Sequence, residues 1–362
     1  MKRSFKVFLL LVLALASALS FLSCSGSRGT PVMTLGDKSV TDHMFEYWVD
    51  SYKAVLLSTY SDAKDTDEFW DKKLADGSTA EDFFYRQTYN YIESNLVCMY
   101  LFDELDLEIE DEDIEKSESI VAELESIYAD GNRNEFNRLL GNYGVNAELL
   151  SDIYLEEIKS TYVYNHVFEK GLLTVGDGEK EEYLEDNYVR IKQIYVNNKY
   201  DFEKSSYDDA GNFNMAELDS ETKAEKDAKV EEVKAALASG KDFDEVYSAY
   251  SEETDYPNGY YLSVTTQDLP QELISNALSL EVGESVTFES DYGTHFIKRL
   301  EMDEGAYSDE ANKDFFEGFT ESVYESVFSD YIKSFYEKIE VDEEAIKKYT
   351  VRDALPNYSF QY

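Results

Sequence analysis

Asp291-Tyr292-Gly293-Thr294-His295-Phe296-Ile297-Lys298 joins a Tyr-Gly turn to a strand that runs from His295 to Leu300, and the fold is read outward from it. Val286-Thr287-Phe288 reads as another strand, set off by the turn Val282-Gly283-Glu284. Leu269 to Leu278 has the spacing of a short helix, and Tyr256-Pro257-Asn258-Gly259 is a turn. Before it come two helical patterns. In Lys223 to Ala238, Val230, Val233 and Leu237 share a face; after Gly240-Lys241, Phe243, Val246, Tyr247 and Tyr250 do so. A strand is expected around Ile191 to Val196 and a short one near Tyr260 to Ser263, which makes the order β-α-α-β-α-β-β. Asn197 to Ser220 is polar and acidic and is expected to be a long surface loop.

The segment from Val189 to Lys298 resembles a parvulin-type peptidyl-prolyl isomerase domain. That family closes on a Tyr-Gly-x-His-apolar-Ile-Lys strand, matched by Tyr292 to Lys298. The resemblance implies that His295 lies on the floor of a proline-binding basin, with Ser290 beside the turn. It places Gln193, in Val189-Arg190-Ile191-Lys192-Gln193-Ile194-Tyr195-Val196, where the family has a second histidine. It places Tyr261, in Asn258-Gly259-Tyr260-Tyr261-Leu262-Ser263, where the family has Cys or Asp, so no acidic or thiol group is expected beside the imidazole. The proline pocket corresponds to Leu269, Leu273 and Leu278. Thus His295, Ser290, Gln193 and Tyr261 are the candidate catalytic residues, and the three leucines the candidate substrate-binding residues.

Composition narrows the alternatives. The chain has 362 residues, 43% of them hydrophobic, enough for one large core or two to three smaller ones. Its net charge is −44, which repels phosphate backbones and anionic headgroups and argues against nucleic-acid binding. The acidic stretch Asp201 to Glu221 lies where phosphate-directed parvulins carry basic residues, against phosphorylated substrates. His43 and His166 fall on separate helices without a Cys or His cluster, and Glu108 to Glu115 lacks a calcium-loop pattern, so neither metal nor cofactor is expected.

Met1-Lys2-Arg3-Ser4-Phe5-Lys6 followed by apolar Val7 to Phe21 is the pattern of a secretory signal over residues 1–23, too short for a stable span. Leu22-Ser23-Cys24-Ser25-Gly26-Ser27 is similar to a bacterial lipobox, which would make Cys24 a lipidated N-terminus. The alternative is an ordinary signal peptide with Cys24 incidental. Residues 24–31 read as a tether. Cys98, the other cysteine, lies in an apolar run, and with Cys24 lipidated it would have no partner for a disulfide.

Val32 to Val40 reads as a hairpin, and Thr41 as the cap of a helix carrying Met44, Tyr47, Trp48 and Tyr52. Helices follow from about Ala80 to Phe102, from about Glu112, and through Asn134 to Lys170 with a stop at Tyr143-Gly144. Leu35-Gly36-Asp37-Lys38-Ser39-Val40-Thr41, Phe136 to Glu148 and Val175 to Tyr183 carry, in that order, a resemblance to PrsA- and SurA-type secretion foldases. Asp309 to Lys338 reads as one strong helix too apolar to stand alone.

The resulting expectation is an α+β chain. A helical, chaperone-like domain spans residues 32–174, a parvulin-like domain 175–301, and a C-terminal segment 302–362 returns onto the helical domain. The resemblance implies a foldase, lipid-anchored through Cys24 on the outer side of the cell membrane, that binds unfolded or newly exported polypeptides. Two alternatives stay open: a non-catalytic holdase of the same architecture, or a surface scaffold lipoprotein. The aromatic content of 15%, with 30 tyrosines, is compatible with core packing and with a client-binding cradle.

Overall fold

The computed structural model describes residues 28–60, 63–74, 77–207, 213–266 and 269–361, so the expected signal segment and Cys24 lie outside the described residues. The fold is α+β, and the chain divides into two compact units: residues 1–174 with 328–362, and residues 175–327. The second unit is thus inserted in the chain of the first.

In the first unit β1 (Pro31–Leu35) and β2 (Lys38–Thr41) form the expected hairpin. Thr41 caps α1 (Asp42–Thr59), its side chain accepting from the Met44 N–H. A short α2 (Asp67–Trp70) precedes α3 (Ala80–Glu104), which begins in a Thr79/Asp82 capping box. Then come α4 (Asp111–Ala129), α5 (Arg133–Leu140) and α6 (Ala147–Glu169). Gly144, at φ 72°, supplies the left-handed turn between the last two. One apolar core joins the hairpin to α1, α3, α5 and α6 through side chains such as Met33, Phe45, Trp48, Leu96 and Ile153. Cys98 is buried in it, and burial pushes its thiol pKa up to about 12.

Polar groups fasten the C-terminal residues to this core. Lys53 is fully buried beneath the Trp70 ring, donating to the carbonyls of Arg352 at 2.7 Å and Ala354 at 2.9 Å and pairing with Asp65 at 2.8 Å. Asn357 is bound to Ser51 Oγ and, in both directions, to Phe360. The Phe360 ring lies edge-on to Tyr128, Phe136 and Tyr143. A further strand, β9 (Glu340–Val341), pairs with β1 in the order β2-β1-β9.

In the second unit α7 (Asp177–Asn187) leads into β3 (Tyr188–Val196). After α8 (Ser220–Ala238) and α9 (Phe243–Tyr250) come β6 (Tyr260–Ser263), α10 (Gln271–Ser279), β7 (Ser285–Glu289) and β8 (Thr294–Leu300). The antiparallel sheet has the order β6-β3-β8-β7. Strand alternation sends Ile194, Val196 and Phe296 to one face, against α8 and α9. It sends Ile191, Tyr260, Leu262 and Ile297 to the other, against α10.

Two expectations change here. Residues 197–220 are not all loop: β4 (Tyr200–Tyr207) and β5 (Phe213–Glu217) pair as a separate two-stranded ribbon. With Phe202, Tyr207 and Phe213 all exposed, the ribbon buries no face that would have marked it by alternation. Residues 309–338 are not one helix: a 3₁₀ turn (Glu310–Phe315), α11 (Phe319–Lys333) and a second 3₁₀ turn (Tyr336–Lys338) replace it, with Gly318 at φ 72° breaking the run. The boundary near residue 301 shifts for the same reason. Phe316, Phe319 and Val323 pack with Leu184, Tyr188 and Tyr261 in a core of the second unit, whereas Phe328, Tyr331 and Ile332 pack in the first.

Both tryptophans, Trp48 and Trp70, are buried in the first unit, so tryptophan fluorescence reports its unfolding. Phe360→Ala is expected to cost about 3–4 kcal/mol by leaving an aromatic-lined cavity, read as a lower urea midpoint with an unchanged slope. An unchanged midpoint would show that the C-terminal residues do not anchor this core.

Candidate functional site

The pairing of β3 with β8 sets Tyr195 opposite His295 and Gln193 opposite Ile297, so Gln193, Tyr195 and His295 share one face. Phe288 on β7 is opposite His295 on that face. Its ring stacks on the imidazole with centroids 4.9 Å apart and planes 3° from parallel, and Tyr195 approaches at 5.0 Å. Gly293 lets the β7–β8 turn close against β3, since a Cβ there would lie 2.5 Å from the Val196 carbonyl oxygen.

His295 is only 4% exposed, and both ring nitrogens have partners. Ser290 Oγ lies 2.7 Å from Nε2 and accepts the Tyr292 N–H at 3.1 Å. On the other side, Nδ1 makes a long contact of 3.4 Å to Gln193 Oε1, which also accepts from the Tyr260 hydroxyl at 3.1 Å. The Gln193 amide nitrogen donates to Glu253 at 2.8 Å. These partners assign a single tautomer: Nδ1–H donates to Gln193, and Nε2 accepts from Ser290. Burial, with a smaller contribution from the Lys199 ammonium, lowers the imidazole pKa to about 4, so the ring is neutral at pH 7.

Above the ring lies a cavity of about 650 Å³. Leu269 and Pro270 line it beside Gln193, Tyr195, Tyr292 and His295, and Glu252, Glu253 and Asp255 add carboxylates. The acidic loop is pinned to the part of β3 beyond its pairing with β6. Ser251 Oγ accepts the Tyr195 N–H, and the Glu252 N–H donates to the Tyr195 carbonyl at 2.8 Å.

The structure therefore gathers His295, Ser290, Gln193 and Leu269 in one place. Leu273 is buried in the core beneath α10, and Leu278 packs partly buried against it; neither lines the cavity. Tyr261 is not in this group. It is opposite Arg190 on the other face of the sheet, with its hydroxyl donating to Asp303 at 2.8 Å and its ring against Phe316. Strand alternation turns its neighbour Tyr260 toward Gln193 instead. The expectation of no acidic group near the imidazole also changes: Glu253 reaches it through the Gln193 amide. Loop residues have no periodicity, so nothing in the sequence pattern singled out Glu253.

Among the described residues, no three or more His, Cys, Asp or Glu side chains are grouped to hold a metal ion, and no helix is long and apolar enough to cross a membrane. The arrangement presents an apolar wall from Leu269 and Pro270 and a neutral imidazole fixed by the buried Ser290 hydroxyl, a set suited to binding and desolvating an amide.

Residues 203–303 match the family model described as the PPIC-type PPIASE domain, so the second unit carries a parvulin-type domain. The match contains Glu253, Tyr260, Ser290 and His295; Gln193 precedes it. Among solved structures, PrsA from Bacillus subtilis aligns at 18% identity over 78% of this chain and 93% of its own, with a TM-score of 0.24. The peptidylprolyl isomerase PrsA from Bacillus cereus aligns at 20% identity over 80% and 92%, with a TM-score of 0.25. A structure reported for PEB4 and Cj1289, described as SurA-like chaperones of Campylobacter jejuni, aligns at 8% identity over 86% and 98%, also at 0.25. Comparison with curated proteins gives no match.

The imidazole sets a pH dependence. Its ordinary pKa of 6.5 falls to about 4 on folding, so between these values the unfolded chain holds a proton that the folded chain lacks. Its contribution to stability is complete above pH 6.5 and is lost as the pH falls toward 4, amounting to about 3 kcal/mol. NMR titration of the His295 ring should have its midpoint near pH 4. A midpoint at the ordinary histidine value would mean that the ring is solvated.

Proposed function

We propose that this protein is a foldase that binds exposed Xaa-Pro segments in the basin around His295 and accelerates their cis-trans isomerisation. The observation that carries the reading is the neutral imidazole, clamped by Ser290 and Gln193 on the floor of a roughly 650 Å³ cavity, inside a parvulin-type domain.

Rotation about a prolyl amide faces a barrier of ~18–20 kcal/mol from resonance, and no bond to the substrate need break. Water bound to the carbonyl favours the planar, charge-separated amide. An apolar pocket that strips this water and holds the proline ring therefore favours the twisted transition state. Leu269 and Pro270 supply the apolar wall, and Phe288 and Tyr195 hold the imidazole plane. The Ser290–His295–Gln193–Glu253 chain fixes the polar groups in advance, so little reorganisation accompanies the twist.

The first unit we assign to holding unfolded clients, with Cys24 as a lipid anchor on the extracytoplasmic face of the membrane. A holdase without catalysis is the second reading, favoured by Gln193, an amide that cannot share a proton as a second histidine would.

NMR exchange spectroscopy on Xaa-Pro peptides should show accelerated isomerisation, lowered about tenfold or more by His295→Ala. Suppressed aggregation of a proline-free client with no exchange enhancement would replace the isomerase with the holdase; loss of both would overturn the foldase. For the anchor, a fatty-acid probe should label the wild type and not Cys24→Ala, and equal labelling would refute it.

A further inference from the structure

We propose that the basin around His295 selects prolines preceded by a cationic residue, so that Lys-Pro and Arg-Pro segments are its preferred substrate class. This rests on the isomerase reading and adds to it the side chain recognised before the proline.

The described lining of the cavity carries Glu252, Glu253 and Asp255 and no lysine or arginine. The three carboxylates are not equivalent. Glu252 is neutralised from within: it accepts from Lys226 at 2.6 Å, from Lys229 at 2.8 Å and from the Asn197 N–H at 3.1 Å. Among the described residues the Glu253 carboxylate is paired with the neutral Gln193 amide and with no cation, and burial together with the nearby charge of Asp255 raises its pKa. Asp255 is exposed at the rim. Two carboxylates are thus held in one cavity with no lysine or arginine among its described lining residues, and a substrate ammonium or guanidinium would relieve both. Lys199, whose charge acts on the imidazole, does not line the cavity; its ammonium donates to the Ser290 carbonyl at 2.5 Å. Tyr195 and Tyr292 line the same cavity and offer ring faces for the methylene stem and charged head of lysine or arginine. An acidic residue before the proline would meet Glu253 and Asp255 as like charges.

The whole chain, at −44, attracts any basic peptide, so a valid test holds peptide charge constant and moves only its position. Two peptides of identical composition serve: one with lysine immediately before the proline, and one with alanine there and the lysine at the far end. NMR exchange should favour the first by about tenfold at low salt, and chemical-shift titration should show tighter binding of the same peptide. In Glu253→Gln/Asp255→Asn the ratio should approach one, and Asp255→Lys should favour a Glu-Pro peptide, with the amide spectrum of each variant confirming the fold. Equal exchange of the two peptides in the wild type would overturn the selectivity and leave the isomerase standing. No exchange with either would overturn the isomerase, and equal binding would then overturn the selectivity as well.

Discussion

The register of β3 against β8 is the constraint on which the rest of the second unit depends. Seven residue pairs, from Arg190↔Leu300 to Val196↔Thr294, hold the two central strands together. Because side chains alternate, a slip of one residue would carry His295 to the face packed by α8 and α9 and bring Phe296 into the cavity. The register is secured on both faces at once. Ile194, Val196 and Phe296 are buried on one, Ile191 and Ile297 on the other, so a one-residue slip would put the polar His295 into the core under α8 and α9.

The site follows from that pairing by short steps. A histidine on a buried face loses hydration, which favours the neutral ring, and a neutral ring needs one donor and one acceptor. Ser290 and Gln193 supply these from the turn before β8 and from the strand beside it. Gln193 is held in turn by Tyr260 and Glu253. Each member is satisfied by the next, so the imidazole is fixed without a second histidine. The cost is a carboxylate kept partly out of water beside a second one, which gives the cavity its acidic character.

In the first unit, the same economy of buried polar groups acts on the chain ends. Lys53, Asp50 and Asn357 are buried on or against α1, and each is tied to backbone groups more than two hundred residues away. Burial and the nearby Glu46 raise the Asp50 carboxyl pKa to about 7, although the Leu355 N–H and Lys53 oppose the shift. Such groups add specificity more than net stability, since an unpaired buried donor or charge penalises any other placement of residues 350–361.

Periodicity and capping chemistry made most elements legible from the sequence. Thr41, the Tyr143-Gly144 stop, the helical stripes of α8 and α9, and even the short β6 at Tyr260 to Ser263 were readable because each is local. His295, Ser290 and Gln193 were readable as neighbours through the strand motif that resembles the parvulins. The β4–β5 ribbon and the break at Gly318 were not, because one buries no patterned face and the other interrupts a run that stays apolar. Tyr260 and Glu253 were decided only in three dimensions. Which of two adjacent tyrosines faces the imidazole depends on pairing with β3, and a carboxylate in the loop after α9 reaches Gln193 only because backbone hydrogen bonds pin that loop to Tyr195. The sequence by itself determined most of the elements and the histidine with its neighbours Ser290 and Gln193, since those are local or motif-borne; the tertiary structure alone decided the roles of Tyr260 and Glu253 and the charge of the cavity, since those arise where distant segments meet.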